Sequence, residues 1–224
     1  MRGKLIVIEG SDSSGKETQS RLLIEALRKK EINVDKFSFP NYDSPSGKIV
    51  GECYLGRSGN GFFPETAPNV NPKVAALYYA ADRKYNIHKI EFLLENGIHV
   101  ILDRYVYSNM AHQGCKIKNS EERKEMYDWL DQLEYGLLAL PVPDIAIYLR
   151  MPPKEAFQLK EKRSIIDENE KNDSYLEASF YAYEELAKLY QFKVVECCNE
   201  FGLRQREEIS EEVVSFVLTQ LEKN

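Results

Sequence analysis

Five short apolar runs recur along the chain, at intervals long enough to hold a helix between consecutive runs. They are rich in Val and Ile, and several are apolar at consecutive positions rather than at alternating ones. Strands that are buried on both faces of a helix-covered parallel sheet have this pattern. The sequence therefore predicts five strands, in KLIVIEG, VDKFSF, HVILDRY, DIAIYLR and FKVVEC.

The intervals between the runs carry helical patterns. ETQSRLLIEALRKK places Leu22, Leu23, Ala26 and Leu27 on one apolar stripe, and PKVAALYYAADRKYNIHKIEFLLENG has a proline and a glycine at its boundaries. Further helices are predicted in SEERKEMYDWLDQLEY, DSYLEASFYAYEELAKLY and EISEEVVSFVLTQLEKN. This alternation predicts an α/β fold, with a parallel sheet of about five strands covered by helices on both faces. We expect one domain over residues 1–224.

Composition narrows the classes of partner. The chain has 30 basic and 36 acidic side chains among 224 residues, a formal charge of −6. A general affinity for nucleic acid or for anionic membranes is not expected at that charge, so any phosphate affinity has to be local. No apolar stretch approaches the ~20 residues of a membrane span. The cysteines lack metal-type spacing and predict reduced thiols in a cytoplasmic protein, at Cys53, Cys115, Cys197 and Cys198.

The first strand leads into the Gly-x-x-x-x-Gly-Lys spacing of a phosphate-binding loop, and a helix follows. Glycines let the backbone fold into a nest of amide N–H groups, and the helix N-terminus adds a positive partial charge. Lys16 can then reach the β- and γ-phosphates of a nucleotide. The predicted ATP-binding residues are Gly10, Ser11, Asp12, Ser13, Ser14, Gly15, Lys16, Glu17 and Thr18.

Glu17 departs from the loop pattern, because the position after the lysine ordinarily carries a Ser or Thr hydroxyl that holds magnesium. Two hypotheses follow. Either Glu17 ligates the ion directly, or it points away from the nucleotide and interacts with the helix dipole, while water and phosphates hold the ion. Thr18 is not a simple replacement, because one residue turns a side chain by about 100° around a helix.

Asp103 and Arg104 stand at the carboxyl end of a predicted buried strand, in LDRYVYSNMAHQG. Ligands of parallel α/β sheets bind at these strand ends. Asp103 is therefore a candidate to hold magnesium through water, and Arg104 is a candidate to bind a second phosphate. The alternative is an Asp-Arg surface pair that closes the strand.

Five blocks, in this order and at these spacings, resemble the thymidylate kinase family: VIEGSDSSGK, FPNYDSPSGK, YYAADRKYN, DRYVYSNMAHQG and YLRMPPKEAF. The similarity runs over about residues 5–190. It implies ATP as phosphoryl donor, dTMP as acceptor, Mg²⁺ as cofactor and a homodimer. Two alternatives stay open, namely a nucleotide-binding protein with weak or lost kinase activity and a kinase for another pyrimidine monophosphate.

The resemblance also implies roles on the phosphate side of the acceptor. Asp12 would bind the 3′-hydroxyl of dTMP or the phosphate network beside it. Phe39 and Tyr42 would line the monophosphate site. Arg104 would hold the acceptor phosphate.

On the base side, the resemblance implies that Tyr79 stacks on thymine and that Arg83 hydrogen-bonds the exocyclic O4. Asn109 would lie near the base edge, with Gln113 beside it. Taken without the family, Tyr79 fits an ordinary core aromatic residue and Arg83 a solvated helix charge.

His112 stands where the family has an aromatic ring against the sugar. An imidazole is smaller than a phenol ring and carries hydrogen-bonding nitrogens, so it could accept a 2′-hydroxyl instead of excluding it. We then expect a narrowed preference for dTMP over its ribose counterpart. The alternative is a histidine that hydrogen-bonds a neighbouring backbone carbonyl and still fills the space.

Residues 160–173, KEKRSIIDENEKND, fall where the family carries a mobile lid over ATP. Lids of phosphoryl-transfer enzymes usually contribute arginines to the transferred group. Only Arg163, with Lys160 and Lys162 nearby, fits that role here, and the alternative is a solvated charged tip. The predicted catalytic residues are thus Lys16, Arg104 and Arg163.

Overall fold

The computed structural model describes residues 2–57, 59, 61–160 and 173–223. Its main sheet has five parallel strands in the order β2-β3-β1-β4-β5. A short antiparallel pair, β6 and β7, follows near the carboxyl end of the chain. The strands are β1 (Leu5–Glu9), β2 (Val34–Ser38), β3 (His99–Asp103), β4 (Ile145–Arg150), β5 (Lys193–Glu196), β6 (Cys198–Asn199) and β7 (Gly202–Leu203).

Helices connect the strands. Two π-helical segments, Ile49–Tyr54 and Gln132–Leu137, directly follow the second and the fifth α-helix of the chain. A 3₁₀ turn covers Ala67–Asn69. No helix in the described ranges is long and apolar enough to cross a membrane. The α-helices are α1 (Lys16–Lys29), α2 (Pro45–Lys48), α3 (Pro72–Glu95), α4 (Val106–Gly114), α5 (Ser120–Asp131), α6 (Pro153–Lys160), α7 (Asp173–Leu189) and α8 (Arg206–Leu221).

The central strand β1 shows why its sequence is apolar at consecutive positions. All five of its residues are buried. Leu5 and Val7 belong to a core cluster with residues of α3, α4, α5 and α7. Ile6 and Ile8 belong to a second cluster with residues of α1 and α8. Because successive side chains of a strand point to opposite faces, both faces of β1 need apolar residues. The predicted α/β fold, with helices on both faces of a five-stranded parallel sheet, is confirmed.

The strand order brings the predicted site segments together. β1 lies between β3 and β4, and Ile8 is opposite Asp103 in the ladder. The loop after β1 therefore starts beside the turn after β3. Both lie at the carboxyl ends of parallel strands, where α/β sheets bind their ligands.

The segment that leads into α3 is held in place at the 3₁₀ turn. The Tyr54 hydroxyl donates to the Ala67 carbonyl at 2.9 Å. The Lys116 ammonium donates to the same carbonyl at 3.0 Å and to the Val70 carbonyl at 3.1 Å. These contacts hold the 3₁₀ turn against the end of α4.

Candidate active site

A cavity of ≈ 590 Å³ opens at the carboxyl ends of β1, β2 and β3. It collects most of the side chains that the sequence singled out, from four separate parts of the chain. These are Asp12, Ser13, Gly15, Lys16, Glu17, Thr18, Phe39, Tyr42, Tyr79, Arg83, Asp103, Arg104, Asn109 and His112.

Four of the predicted residues that the structure describes do not line the cavity. Gly10, Ser11 and Ser14 are buried in the loop itself. Gln113 is buried in α4, and neither of its amide atoms has a partner in the described part of the chain. Arg163 lies outside the described residues.

Two glycines give the phosphate loop its shape. Gly10 has φ 154°, and a Cβ there would lie 2.6 Å from Ser14 Oγ and 2.8 Å from the Leu149 carbonyl oxygen. Gly15 has φ 86° and precedes the first residue of α1. Side-chain-bearing residues rarely adopt such backbone angles. The glycines therefore permit the tight path that brings successive amides to the helix N-terminus.

Lys16 is folded across this loop. Its ammonium donates to the Ser11 carbonyl at 2.6 Å and lies 3.4 Å from Ser14 Oγ. Burial, followed by the nearby Arg104 charge, lowers the pKa of Lys16 to about 8. The side chain thus holds its charge on loop oxygens, which phosphate oxygens of a bound nucleotide can replace.

Glu17 is exposed in the first turn of α1, and it lines the cavity together with Thr18. It makes no hydrogen bond or ion pair with the described residues. A carboxylate at this place is favoured by the helix dipole. The geometry is compatible with either role of Glu17, so both hypotheses stay predictions.

Arg104 follows β3 with a left-handed φ of 68°. Its guanidinium forms an ion pair with Asp12, and its Nη1 lies 3.3 Å from Ser108 Oγ. Burial is the largest single influence and acts to lower the pKa of Arg104, but the surrounding groups, with Asp12 the strongest of them, together raise it well above its usual value. Asp103 is buried beside it and lines the same cavity. Arg104 therefore pairs across the cavity with the phosphate loop instead of forming a surface pair with Asp103.

His112 uses both of its ring nitrogens within the protein. Arg104 can only donate, so its contact of 3.2 Å with His112 Nε2 makes that nitrogen an acceptor. The proton then sits on Nδ1, which lies 3.1 Å from the Tyr175 hydroxyl. Burial lowers the pKa of His112 to about 3, so the ring is neutral. This arrangement favours a histidine that is satisfied by protein groups over one that accepts a 2′-hydroxyl, although its partners are side chains rather than a carbonyl.

Arg83 and Asn109 meet at a buried carboxylate. Arg83 is 2% exposed and pairs through Nε and Nη2 with Glu134, which is 0% exposed. Asn109 Nδ2 donates to the same carboxylate at 2.9 Å. The Asn109 carbonyl oxygen and Arg83 Nη1 have no hydrogen-bond partner among the described residues. Arg83 is therefore not a solvated helix charge. It presents to the cavity a guanidinium whose positive charge is balanced by the Glu134 carboxylate.

Tyr79 is half-buried on α3 and lines the cavity. Its ring packs edge-on against Tyr54, with 5.7 Å between the centroids. Phe39 is 3% exposed and packs against Tyr105, at 6.0 Å between the centroids. Aromatic rings of this kind supply flat apolar walls to the cavity.

Sequence reasoning missed several groups of the site. Glu9, at the end of β1, is fully buried and accepts from the Tyr105 amide at 2.8 Å and Ser108 Oγ at 2.6 Å. It fixes the start of α4, and burial raises its pKa. A charged residue ending a buried strand was the signal available for it. Missed residues that line the cavity are Ser38, Pro40, Leu55, Arg57, Tyr105, Ser108 and Leu159.

The oxygen ligands near Lys16 fit a magnesium ion. Asp103 and Glu17 offer carboxylates and Thr18 offers a hydroxyl, all lining the cavity. Within the described ranges there is no cluster of three or more His, Cys, Asp or Glu side chains that would hold a metal by itself. Magnesium is usually held by one or two carboxylates together with waters and substrate phosphates. This donor set suits such an ion.

Comparison with known proteins identifies the family. The family model described as thymidylate kinase matches residues 8–207, nearly the whole chain. The chain belongs to the thymidylate kinase family. This confirms the resemblance that the sequence motifs indicated, and the comparisons do not favour a nucleotide-binding protein without kinase activity.

Several thymidylate kinases are similar to this chain. A probable thymidylate kinase of Pyrococcus abyssi is 31% identical, over 99% of this chain and 98% of the relative. The thymidylate kinase of Plasmodium falciparum is 34% identical over 69% of this chain, and the match spans 65% of that relative. A solved structure of thymidylate kinase from Candida albicans has a TM-score of 0.75 and 25% identity, covering 97% of this chain and 92% of that one.

Proposed function

We propose that this chain transfers the γ-phosphoryl group of ATP to dTMP and releases dTDP and ADP. The observation that carries the proposal is one cavity shared by the phosphate loop with Lys16, the strand-end Arg104 and the buried Arg83. Membership of the thymidylate kinase family supports it. A kinase for another pyrimidine monophosphate would use the same phosphate groups and differ at the base.

ATP would bind with its phosphates on the loop of residues 10–18. Lys16 would exchange the Ser11 carbonyl for phosphate oxygens, and these negative groups would raise its pKa again. Ser13 Oγ is buried, lines the cavity and has no partner in the described part of the chain. It is therefore available to a further phosphate oxygen.

dTMP would bind with its phosphate on Arg104 and its base between the aromatic walls. Arg83 Nη1 would donate to O4 of thymine, and Tyr79 would stack on the ring. The Asn109 carbonyl oxygen is a buried acceptor without a partner among the described residues, next to the Glu134 carboxylate that fixes Arg83. These groups suit a base edge that carries both an acceptor and a donor. Asp12, Phe39, Tyr42, His112 and Gln113 complete the proposed acceptor site.

In the reaction, an oxygen of the dTMP phosphate forms a bond to the γ-phosphorus while the bond to the β–γ bridging oxygen breaks. A phosphate monoester is already a nucleophile at neutral pH, so no general base is needed. Catalysis then depends on positioning and on charge stabilisation. Lys16 and Arg104 would supply charge on the two sides of the moving group. Arg163 would add a third charge from the lid at residues 160–173.

Magnesium would be held by Asp103 through water and by the ATP phosphates. When bound, the ion neutralises negative charge on the β- and γ-phosphates. Asp103 ends a buried strand, so its backbone is fixed by the sheet rather than carried on a loop.

We also propose a cytoplasmic homodimer of a single-domain protein that acts on nucleotides and not on nucleic acid or membranes. The support for the dimer lies on α3, whose other side packs into the core. Four apolar residues there are exposed by 40% to 65% and recur at helical spacing, namely Val74, Leu77, Tyr85 and Phe92. A second copy related by two-fold symmetry would cover this stripe. The double variant Tyr85→Glu, Phe92→Glu should be monomeric in light scattering, and an unchanged mass would contradict the dimer.

The activity is tested by a coupled ADP-release assay with a panel of nucleoside monophosphates, with and without magnesium. We expect the highest kcat/KM with dTMP and loss of turnover without a divalent ion. Binding of ATP and dTMP without turnover would contradict the kinase. A higher kcat/KM with another pyrimidine monophosphate would contradict the acceptor assignment.

A further inference from the structure

We propose that Arg57 binds the phosphate of the acceptor nucleotide, held in place by the ring of Tyr42. This inference rests on the proposed function, because it takes the cavity as the dTMP site. Arg57 and Tyr42 both line the cavity. The Arg57 guanidinium carbon lies 3.9 Å from the centroid of the Tyr42 ring, which is a cation–π contact.

The other cations that line the cavity already have partners. Arg83 is neutralised by Glu134, and Arg104 is paired with Asp12. Lys16 donates to the Ser11 carbonyl and belongs to the phosphate loop. Arg57 has no carboxylate partner among the described residues, so it is the cation whose charge no nearby acid offsets there.

A monophosphate brings up to two negative charges into this cavity. Arg104 shares its charge with Asp12, so it does not balance such a ligand alone. An arginine matches a phosphate through two parallel N–H donors, and charge-assisted hydrogen bonds of this kind are among the stronger polar contacts in proteins. A second guanidinium at the acceptor phosphate would supply the positive charge that Arg104 shares with Asp12.

The stack leaves the donors of Arg57 available. A guanidinium that lies over an aromatic ring uses its face, so its N–H groups, which lie in the plane, stay free to bind a ligand. Arg57 is exposed, as a residue that meets an incoming ligand needs to be. The ring limits its movement without neutralising its charge.

The backbone at Gly51 allows the Tyr42 ring and Arg57 to lie close together. Gly51 lies in the π-helical segment Ile49–Tyr54, and π-helical segments are frequent at functional sites. A Cβ on Gly51 would come within 2.8 Å of the Tyr42 ring. The Gly51 carbonyl also accepts from the Arg57 amide at 3.0 Å. Gly51 therefore leaves room for the Tyr42 ring and also holds the backbone of Arg57.

The test compares the binding of dTMP with that of thymidine, which lacks the phosphate, by titration calorimetry on the full chain. In Arg57→Gln we expect dTMP binding to weaken about tenfold or more, while thymidine binding stays unchanged. Arg57→Lys should keep part of the effect. Tyr42→Phe, which keeps the ring face, should bind dTMP more tightly than Tyr42→Leu does. Lys48→Gln is the matched control, because Lys48 is exposed in the neighbouring α2 and does not line the cavity.

Each outcome has one meaning. Unchanged dTMP binding in Arg57→Gln overturns the inference and leaves the proposed function intact. Equal losses for dTMP and thymidine also overturn it, because they show that Arg57 acts on the structure and not on the phosphate. A wild-type chain that binds neither ligand overturns the proposed function, and this inference with it.

Discussion

Two ion pairs that involve residues of the cavity differ in how accessible they are to solvent. The side chains of Arg83 and Glu134 are 2% and 0% exposed, whereas those of Arg104 and Asp12 are 20% and 14% exposed. We refer to Arg83, Asn109 and Glu134 as the Arg83 cluster, and to Asp12, Arg104 and His112 as the Arg104 cluster. The first is complete before a ligand binds, except for the atoms that would meet a base. The second holds its guanidinium on groups that a phosphate can replace.

The difference fits the two tasks of a monophosphate kinase. Recognition of a base requires fixed donors and acceptors, because an analogue is rejected when it leaves a buried polar group unpaired. Phosphoryl transfer requires charges that reach the moving group at the right step. We therefore propose that the Arg83 cluster acts through rigidity, and that the Arg104 cluster acts together with Lys16 through exchange of partners.

The largest effect is expected at Lys16. Lys16→Met removes the cation of the phosphate loop, so kcat should fall by about 10³-fold or more. dTMP binding should change little, because the Arg83 and Arg104 clusters are intact. Steady-state kinetics and dTMP titration check this. A variant that keeps more than a tenth of the wild-type kcat would show that Lys16 does not act on the transferred group.

The next largest effect concerns how much the ion pair of each cluster contributes to the free energy of unfolding. Glu134→Gln leaves the Arg83 charge buried without a counter-ion, which should lower the free energy of unfolding by about 3–5 kcal/mol. The matched variant Asp12→Asn alters a more accessible pair and should cost about 1 kcal/mol. Urea unfolding of both variants measures this. Equal losses would remove the contrast between a preformed cluster and an exchangeable one.

The pH dependence of kcat/KM for ATP tests the role of the Lys16 charge. Lys16 is charged below its pKa, which burial lowers to about 8. Above pH 8 the free enzyme loses the charge, so kcat/KM for ATP should fall by up to about tenfold per pH unit. kcat should fall less, because bound phosphates keep the lysine charged.

Lys116 provides the control for this profile. Burial also lowers its pKa to about 8, but it does not line the cavity. The fall above pH 8 should therefore persist in Lys116→Met. A profile that becomes flat in this variant would assign the titration to Lys116 instead.

The smallest effect is expected at Glu17. Its carboxylate stands in the first turn of α1, where the helix dipole favours a negative charge without any metal, so we expect it to point away from the ion. Glu17→Ser should then keep turnover near the wild-type value or raise it, with the same ratio of activity in magnesium and in manganese. A collapse of activity, or a changed metal ratio, would mean that Glu17 ligates the ion.

The strands and the phosphate loop were predictable because their signals are local. Consecutive apolar residues such as those of β1 indicate burial on both faces, and the glycine spacing indicates the loop. The partners of the site residues were not predictable in this way. Glu134 is 51 positions from Arg83, and Tyr175 is 63 positions from His112. Such pairs depend on how helices pack, which no short pattern encodes.

Arg57 was missed for a related reason. It stands in a Gly-rich loop and resembles a solvated charge, and only its contact with Tyr42 distinguishes it. Glu9 lies inside the predicted strand KLIVIEG, next to the phosphate loop, and no local pattern marks it as part of the site. Its burial and its hydrogen bonds to α4 became visible only with the fold.

The central claim is that the buried Arg83 cluster reads the base. It is tested most directly in the double variant Arg83→Met, Glu134→Met, which replaces both charges by apolar groups and should stay folded, since removing a whole buried pair is often neutral. The measurement is the ratio of kcat/KM for dTMP to that for dCMP, whose amino group at position 4 cannot accept from Arg83. We predict a ratio well above one for the wild-type chain, and a fall of about tenfold or more in the folded double variant. An unchanged ratio in a folded variant would contradict the account.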